Sequence, residues 1–207
     1  MMTSLVRVAL PAALPIDRDL VFAHLRSILE ANDESPAVME PDDAAYIDVL
    51  IEMAIDRLDG PYGLLNRALI QQTWRASYDA FPVEITIPLA RCSAVSTITY
   101  LDRGGVEQTL DPSAYRVTGL LTDRCRVRPI NGTAWPSTYA DEEAISVTFV
   151  SGFGEAAEHV PGSIRHAILE AVARAYEYSE PVIDGRSFSS LPGSATSAVT
   201  DWRVWPE

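Results

Sequence analysis

Few residues of this chain have the types that carry chemistry, and their spacing decides what they can do. His24, His159 and His166 are the only imidazoles, so a serine or cysteine nucleophile activated by histidine would need one of them. None stands beside such a nucleophile in sequence, and no Gly-x-Ser-x-Gly elbow occurs. Cys92 and Cys125 have no structural-zinc spacing with each other or with a histidine. Two cysteines in 207 residues do not make a secreted disulfide framework and read as buried thiols. Gly152-Phe153-Gly154-Glu155-Ala156-Ala157 has the outline of a dinucleotide fingerprint. Pro161 starts the next helix too late for those glycines to seat a pyrophosphate, so they read as a strand-ending turn. The stretch from Ala31 to Asp43 is acidic, yet it lacks the alternating ligands, central glycine and terminal glutamate of a calcium loop. No catalytic residue, cofactor site or metal site is expected.

Residues suited to binding are easier to find. Asp48, Glu52 and Asp56 recur every four residues, which places them on one helix face where like charges repel by roughly a few tenths of a kcal/mol per pair. Two readings are open: a solvated face, or a face that meets basic residues of a neighbouring subunit. Arg124, Arg126 and Arg128 alternate with Cys125 and Val127, so they share one side of a strand and form the one basic concentration of the sequence. Trp202, Arg203, Val204 and Trp205 follow a Gly-, Ser- and Pro-rich segment that cannot bury much against itself. Those tryptophans either anchor a partner or neighbouring copy, or fold back over the chain's own core.

The elements that must position these groups follow from periodicity. Leu5 to Leu10 reads as an edge strand or extended chain, ended by Pro11 and Pro15. Val21, Leu25, Ile28 and Leu29 form one apolar helical stripe, with Asp17 or Asp19 as its cap. A second helix runs from about Asp43 to Leu58, buries Ile47, Leu50, Ile51, Ala54 and Leu58, and stops at Gly60-Pro61. From Leu69 to Phe153 the period falls to two. Strands are expected at Thr73 to Tyr78, Val83 to Ile87, Val95 to Leu101, Val106 to Leu110, Tyr115 to Val117, Arg124 to Arg128 and Ile145 to Val150, with a hairpin turn at Asp102-Arg103-Gly104-Gly105. After Pro161 a third helix buries Ile164, Ile168, Ala171, Val172 and Ala175.

The fold class is therefore α+β: a small α-helical bundle with an inserted antiparallel β-rich subdomain and an extended C-terminal tail. Residues 1–67 supply the N-terminal helices, 68–153 the β-rich insertion, 154–180 the closing helix and 181–207 a flexible tail. Composition narrows the role. Sixteen basic against twenty-nine acidic side chains give a net charge of −13, which opposes a grip on nucleic-acid phosphates. The apolar run from Val8 to Ile16 is broken by two prolines and too short to span a membrane, and only Arg7 precedes it as a signal-type charge. A cytoplasmic product is expected.

Several phrases then fall in a particular order. Leu69-Ile70-Gln71-Gln72-Thr73-Trp74 is followed by Pro88-Leu89, by Val95 to Asp102 with Gly104, and by Leu110-Asp111-Pro112-Ser113-Ala114-Tyr115-Arg116. Later come Trp135-Pro136, Ala144 to Gly152, and Val160-Pro161 before an alanine-rich helix ending in Tyr176-Glu177. Over about residues 18–180 this succession resembles the head-tail connector (head completion adaptor) family of tailed bacteriophages. The resemblance implies a non-enzymatic, structural virion protein of the neck at the head-tail junction, assembled in the host bacterial cytoplasm. Its implied partners are the phage portal protein, neighbouring adaptor subunits in a dodecameric ring, and a tail-side stopper or tail terminator. DNA would pass through the central channel without specific binding, with no membrane and no cofactor involved. In that setting Trp202, Arg203, Val204 and Trp205 are expected to contact the portal or a neighbour. Removing 196–207 would abolish attachment and leave the domain folded. The ring contact would pair Asp48, Glu52 and Asp56 with Arg124, Arg126 and Arg128 of the next subunit. Where the family's last helix continues briefly, this chain has the Gly/Ser-rich segment instead. The competing class is a β-rich binding module of a phage tail or baseplate.

Overall fold

The computed structural model describes residues 2–31, 41–177 and 200–205, with side chains described for all of these except 31 and 41–43. Most of the acidic loop, at 32–40, the last three residues assigned to the closing helix, 178–180, and most of the expected tail, at 181–199 and 206–207, lie outside the described residues. The chain forms an α+β fold of two compact units, Met1–Ala12 with Arg67–Glu155, and Ala13–Asn66 with Ala156–Glu207.

The first unit is built from strands β1 (Met2–Ala9), β2 (Gln72–Tyr78), β3 (Ile85–Thr86), β4 (Cys92–Leu101), β5 (Glu107–Thr109), β6 (Tyr115–Thr118), β7 (Arg126–Pro129) and β8 (Ile145–Ser151). They make two antiparallel sheets, one ordered β1-β2-β8-β4-β5 and one ordered β3-β7-β6. β8 lies at the centre of the larger sheet and alternates as the two-residue period requires: Ile145, Val147 and Phe149 are buried. They meet Trp74, Ile98 and, from the smaller sheet, Ile85 and Val127 in one core. Burying a side chain such as Phe149 contributes roughly 1.5–3 kcal/mol relative to exposure.

The edge-strand reading of the opening residues holds, with β1 as the outer strand beside β2, but they join the β unit, whereas the sequence layout groups residues 1–67 with the helices. Two details depart from the periodic reading. The strand expected at Val83 to Ile87 contracts to Ile85–Thr86, because Pro82 and Pro88 withdraw backbone donors on both flanks, and Val83 stands 94 % exposed. Ser77 breaks the alternation of β2: it is buried as Ala76 and Tyr78 are, where Ser4 of β1 and Ser146 of β8 flank it in register.

The hairpin turn between β4 and β5 is held by Asp102. Its Oδ1 accepts from the backbone N–H of Gly104 (2.8 Å) and Val106 (3.1 Å), its Oδ2 from Gln108 Nε2 (3.0 Å), and Gly105 takes φ +76°. The glycines after β8 serve close packing. Gly152 has φ +146°, and a Cβ there would lie 2.6 Å from the backbone of Ile70 and Gln71. Phe153 N–H donates to Leu69 O, and Gln71 N–H donates to Gly154 O. The dinucleotide-like spacing is thus a backbone-to-backbone seam.

The second unit holds α1 (Arg18–Ala31), α2 (Pro41–Leu58) and α3 (Gly162–Glu177). Asp17 caps α1: its carboxylate accepts from Asp19 N–H at 2.9 Å, and its carbonyl accepts from Val21 N–H. The expected stripe of α2 is buried throughout, at Ile47, Leu50, Ile51, Ala54 and Leu58. The carbonyls of Arg57 and Leu58 at its end accept from Leu64 and Leu65 N–H. α3 starts on Pro161, whose carbonyl accepts from Ile164 and Arg165 N–H, and buries Ile164, Ala167, Ile168, Leu169 and Val172 against α1 and α2. Among the described residues, no helix is long and apolar enough to cross a membrane.

Candidate functional site

The residues with chemical potential are engaged locally. His159 Nδ1 accepts from Ala156 N–H at 3.3 Å, and His166 Nε2 faces Glu170 Oε1 at 3.1 Å, one turn along α3. Cys92 and Cys125 are buried and free of a disulfide, and Cys92 Sγ donates to Ala94 O at 3.4 Å. The neighbouring Cys125 thiol, together with burial, pushes the Cys92 thiol well above its ordinary range. Arg67 and Arg91 flank the Phe153 ring at 5.5 and 4.9 Å, with Asp123 on Arg67 at 3.2 Å. Desolvation lowers the Arg67 pKa, which Asp123 opposes. This cluster escapes a sequence search because its members lie far apart in the chain, and it braces the seam at Gly152. Among the described residues, no three His, Cys, Asp or Glu side chains are placed to hold a metal ion.

The charged surfaces are better developed. On α2, Glu52 and Asp56 are exposed, while Asp48 meets Arg18 of α1 at 2.7 Å. Arg18 relieves the repulsion expected along the acidic row, and Asp48 already has a basic partner within its own chain. In the smaller sheet Arg126 and Arg128 point outward on either side of the buried Val127, as their spacing predicts; Arg124 precedes β7, outside the strand, and is exposed beside the buried Cys125. Glu84 bridges two of them: it lies 3.4 Å from Arg126 Nε and bonds Arg128 Nε directly. Arg116 pairs with Arg128 in the β6–β7 register, so it joins the same face. Sequence reading missed both Arg116 and Glu84, because only the strand pairing of β3, β6 and β7 brings them to that face.

The chain's end is placed against the helices. Trp202 Nε1 donates to Ser163 Oγ at 2.9 Å, Val204 N–H donates to Leu65 O at 3.0 Å, and Asn66 Nδ2 donates to Val204 O at 3.2 Å. Trp202, Arg203 and Val204 are half-buried. Trp205 is 69 % exposed, with the Arg203 guanidinium 4.2 Å over its ring. Of the two readings of the tail, folding back describes Trp202 and Val204; Trp205 is left facing outward.

Comparison with known proteins adds a whole-chain likeness. No protein-family model matches the chain, and no curated protein matches it in sequence. Solved structures do. A chain in the virion of a native gene transfer agent particle superposes with a TM-score of 0.74 at 19 % identity, covering 99 % of this chain and 97 % of that one. Chains in the neck of the empty particle with C6 symmetry (TM-score 0.68, 18 % identity) and in the neck of the native particle with C12 symmetry (0.59, 19 %) match over the same 99 % and 97 %. At this identity the likeness establishes a shared fold, from one end of the chain to the other.

Proposed function

We propose that this protein is a head-to-tail connector subunit: a structural, non-enzymatic virion protein of the neck that binds the portal ring and links the DNA-filled capsid to the tail. The observation that carries the reading is the end-to-end fold likeness to chains of gene transfer agent necks, 99 % of this chain against 97 % of theirs. Copies form a cyclic ring, taken as twelvefold on the C12 symmetry of one such neck. A stopper or tail terminator follows on the tail side. Net charge suits a channel wall: a subunit at −13 repels phosphate, so DNA slides through instead of sticking. Glu52 and Asp56 of one copy face the arginines of the next across the ring contact. Asp48 takes a smaller part because Arg18 holds it. Trp205, with Arg203 stacked on it, is the portion of the tail offered to the portal or a neighbour.

Deleting the gene from its parent phage or prophage tests the reading by electron microscopy of the particles. DNA-filled or leaking heads without tails, beside free tails, are expected. Intact tailed particles would reject a connector role.

A further inference from the structure

α2 carries a second apolar row. Besides the stripe it buries, Tyr46, Val49 and Met53 stand 40 %, 50 % and 60 % exposed, Tyr46 with one side of its ring on Tyr176 of α3 at 6.4 Å between centroids. At about 100° per residue these three lie along one flank of the outer surface, directly beside the exposed Glu52 and Asp56. A helix in water gains nothing by exposing three large apolar side chains at this spacing, and such a row beside charges marks an interaction surface.

The smaller sheet presents the complement. Next to its arginines lies an open groove of about 530 Å³ that contains Val83, Ile130 and Arg128. Val83 is 94 % and Ile130 42 % exposed. Arg116, Arg126 and Arg128 outnumber Glu84 there, so this face is basic on a protein that is acidic overall.

We propose that in the ring the Tyr46, Val49 and Met53 row of one copy seats in the Val83 and Ile130 groove of the next, with Glu52 and Asp56 against that copy's arginines. This rests on the connector reading and deepens it by naming the apolar anchors of the ring contact. DNA would satisfy the arginines alone and leave Val83 and Ile130 in water; a neighbouring helix satisfies both. Two different surfaces meeting head to tail is also the contact type that generates rings.

Full-length chain carrying Met53→Cys and Ile130→Cys, introduced into the parent phage, is oxidised with copper phenanthroline in purified particles. A ladder of covalent multimers on a non-reducing gel is expected, absent from either single variant. Tailed particles without a ladder would overturn the contact. A charge exchange guards against a variant that fails to assemble: Glu52→Arg is expected to lower the yield of tailed particles at least tenfold, and adding Arg128→Glu to restore it. Loss of DNA retention in Arg128→Glu, with Glu52→Arg silent, would assign the basic face to DNA and overturn the proposal. If instead particles lacking the wild-type gene are normally tailed, the connector reading itself fails, which these variants do not address.

Discussion

At the scale of single residues, the features that resemble catalytic or cofactor machinery resolve into folding devices. Gly152 and Gly154 close a backbone seam, Cys92 and Cys125 fill the space between sheets, and His159 stabilises a turn. Asp102 is the residue whose device is testable by pH. The backbone N–H of Val106 first, then Gln108 and Gly104, hold its carboxyl below the usual range. A group with a depressed folded pKa contributes stability above its unfolded value and loses it as pH falls through the folded one. Asp102→Asn keeps an oxygen acceptor and removes the charge. Its melting temperature should lie below wild type at pH 7, and the difference should shrink as pH drops below about 4. A constant difference from pH 7 to 2 would mean that the turn does not depend on the ionised carboxylate.

At the scale of elements, the C-terminal segment separates packing from contact. Trp202 is half-buried and bonded to Ser163, so Trp202→Ala should destabilise the helical unit by about 1–2 kcal/mol in denaturant titration. Trp205 is mostly exposed, and Trp205→Ala should change stability by less than about 0.5 kcal/mol. If Trp205 anchors the connector, that same variant should lose tail attachment; normally tailed particles would return the contact to another surface. Removing 196–207 accordingly does more than detach a tether, because it strips Trp202 and Val204 from the helices. The elements themselves were largely legible. Helical stripes such as Ile47 to Leu58 and the alternation of β8 follow from side-chain geometry alone. Less legible were features set by tertiary contact: Val83 swinging outward, and Glu84 tying Arg126 to Arg128. The apolar flank of α2 hid for a different reason. A search for one buried stripe finds Ile47, Leu50 and Ile51, and treats the remainder of the helix as surface.

At the scale of the whole molecule, charge and contact act in opposite directions during ring formation. Two bodies of −13 with centres ~30 Å apart repel by on the order of 20 kcal/mol in unscreened water, while an exposed ion pair returns about 0–1 kcal/mol. Long-range repulsion therefore outweighs the few pairs across the contact when ionic strength is low, and the apolar row of α2 must supply most of the short-range attraction. Raising salt from about 0.01 M to 0.15 M shortens the screening length from ~30 Å to ~8 Å, which removes the repulsion and leaves apolar burial intact. Self-association of the purified full-length chain, followed by analytical ultracentrifugation, should accordingly strengthen over that range. Association that weakens with salt would show that ion pairs dominate the contact and that the acidic and arginine rows, not Val49 and Met53, hold the copies together.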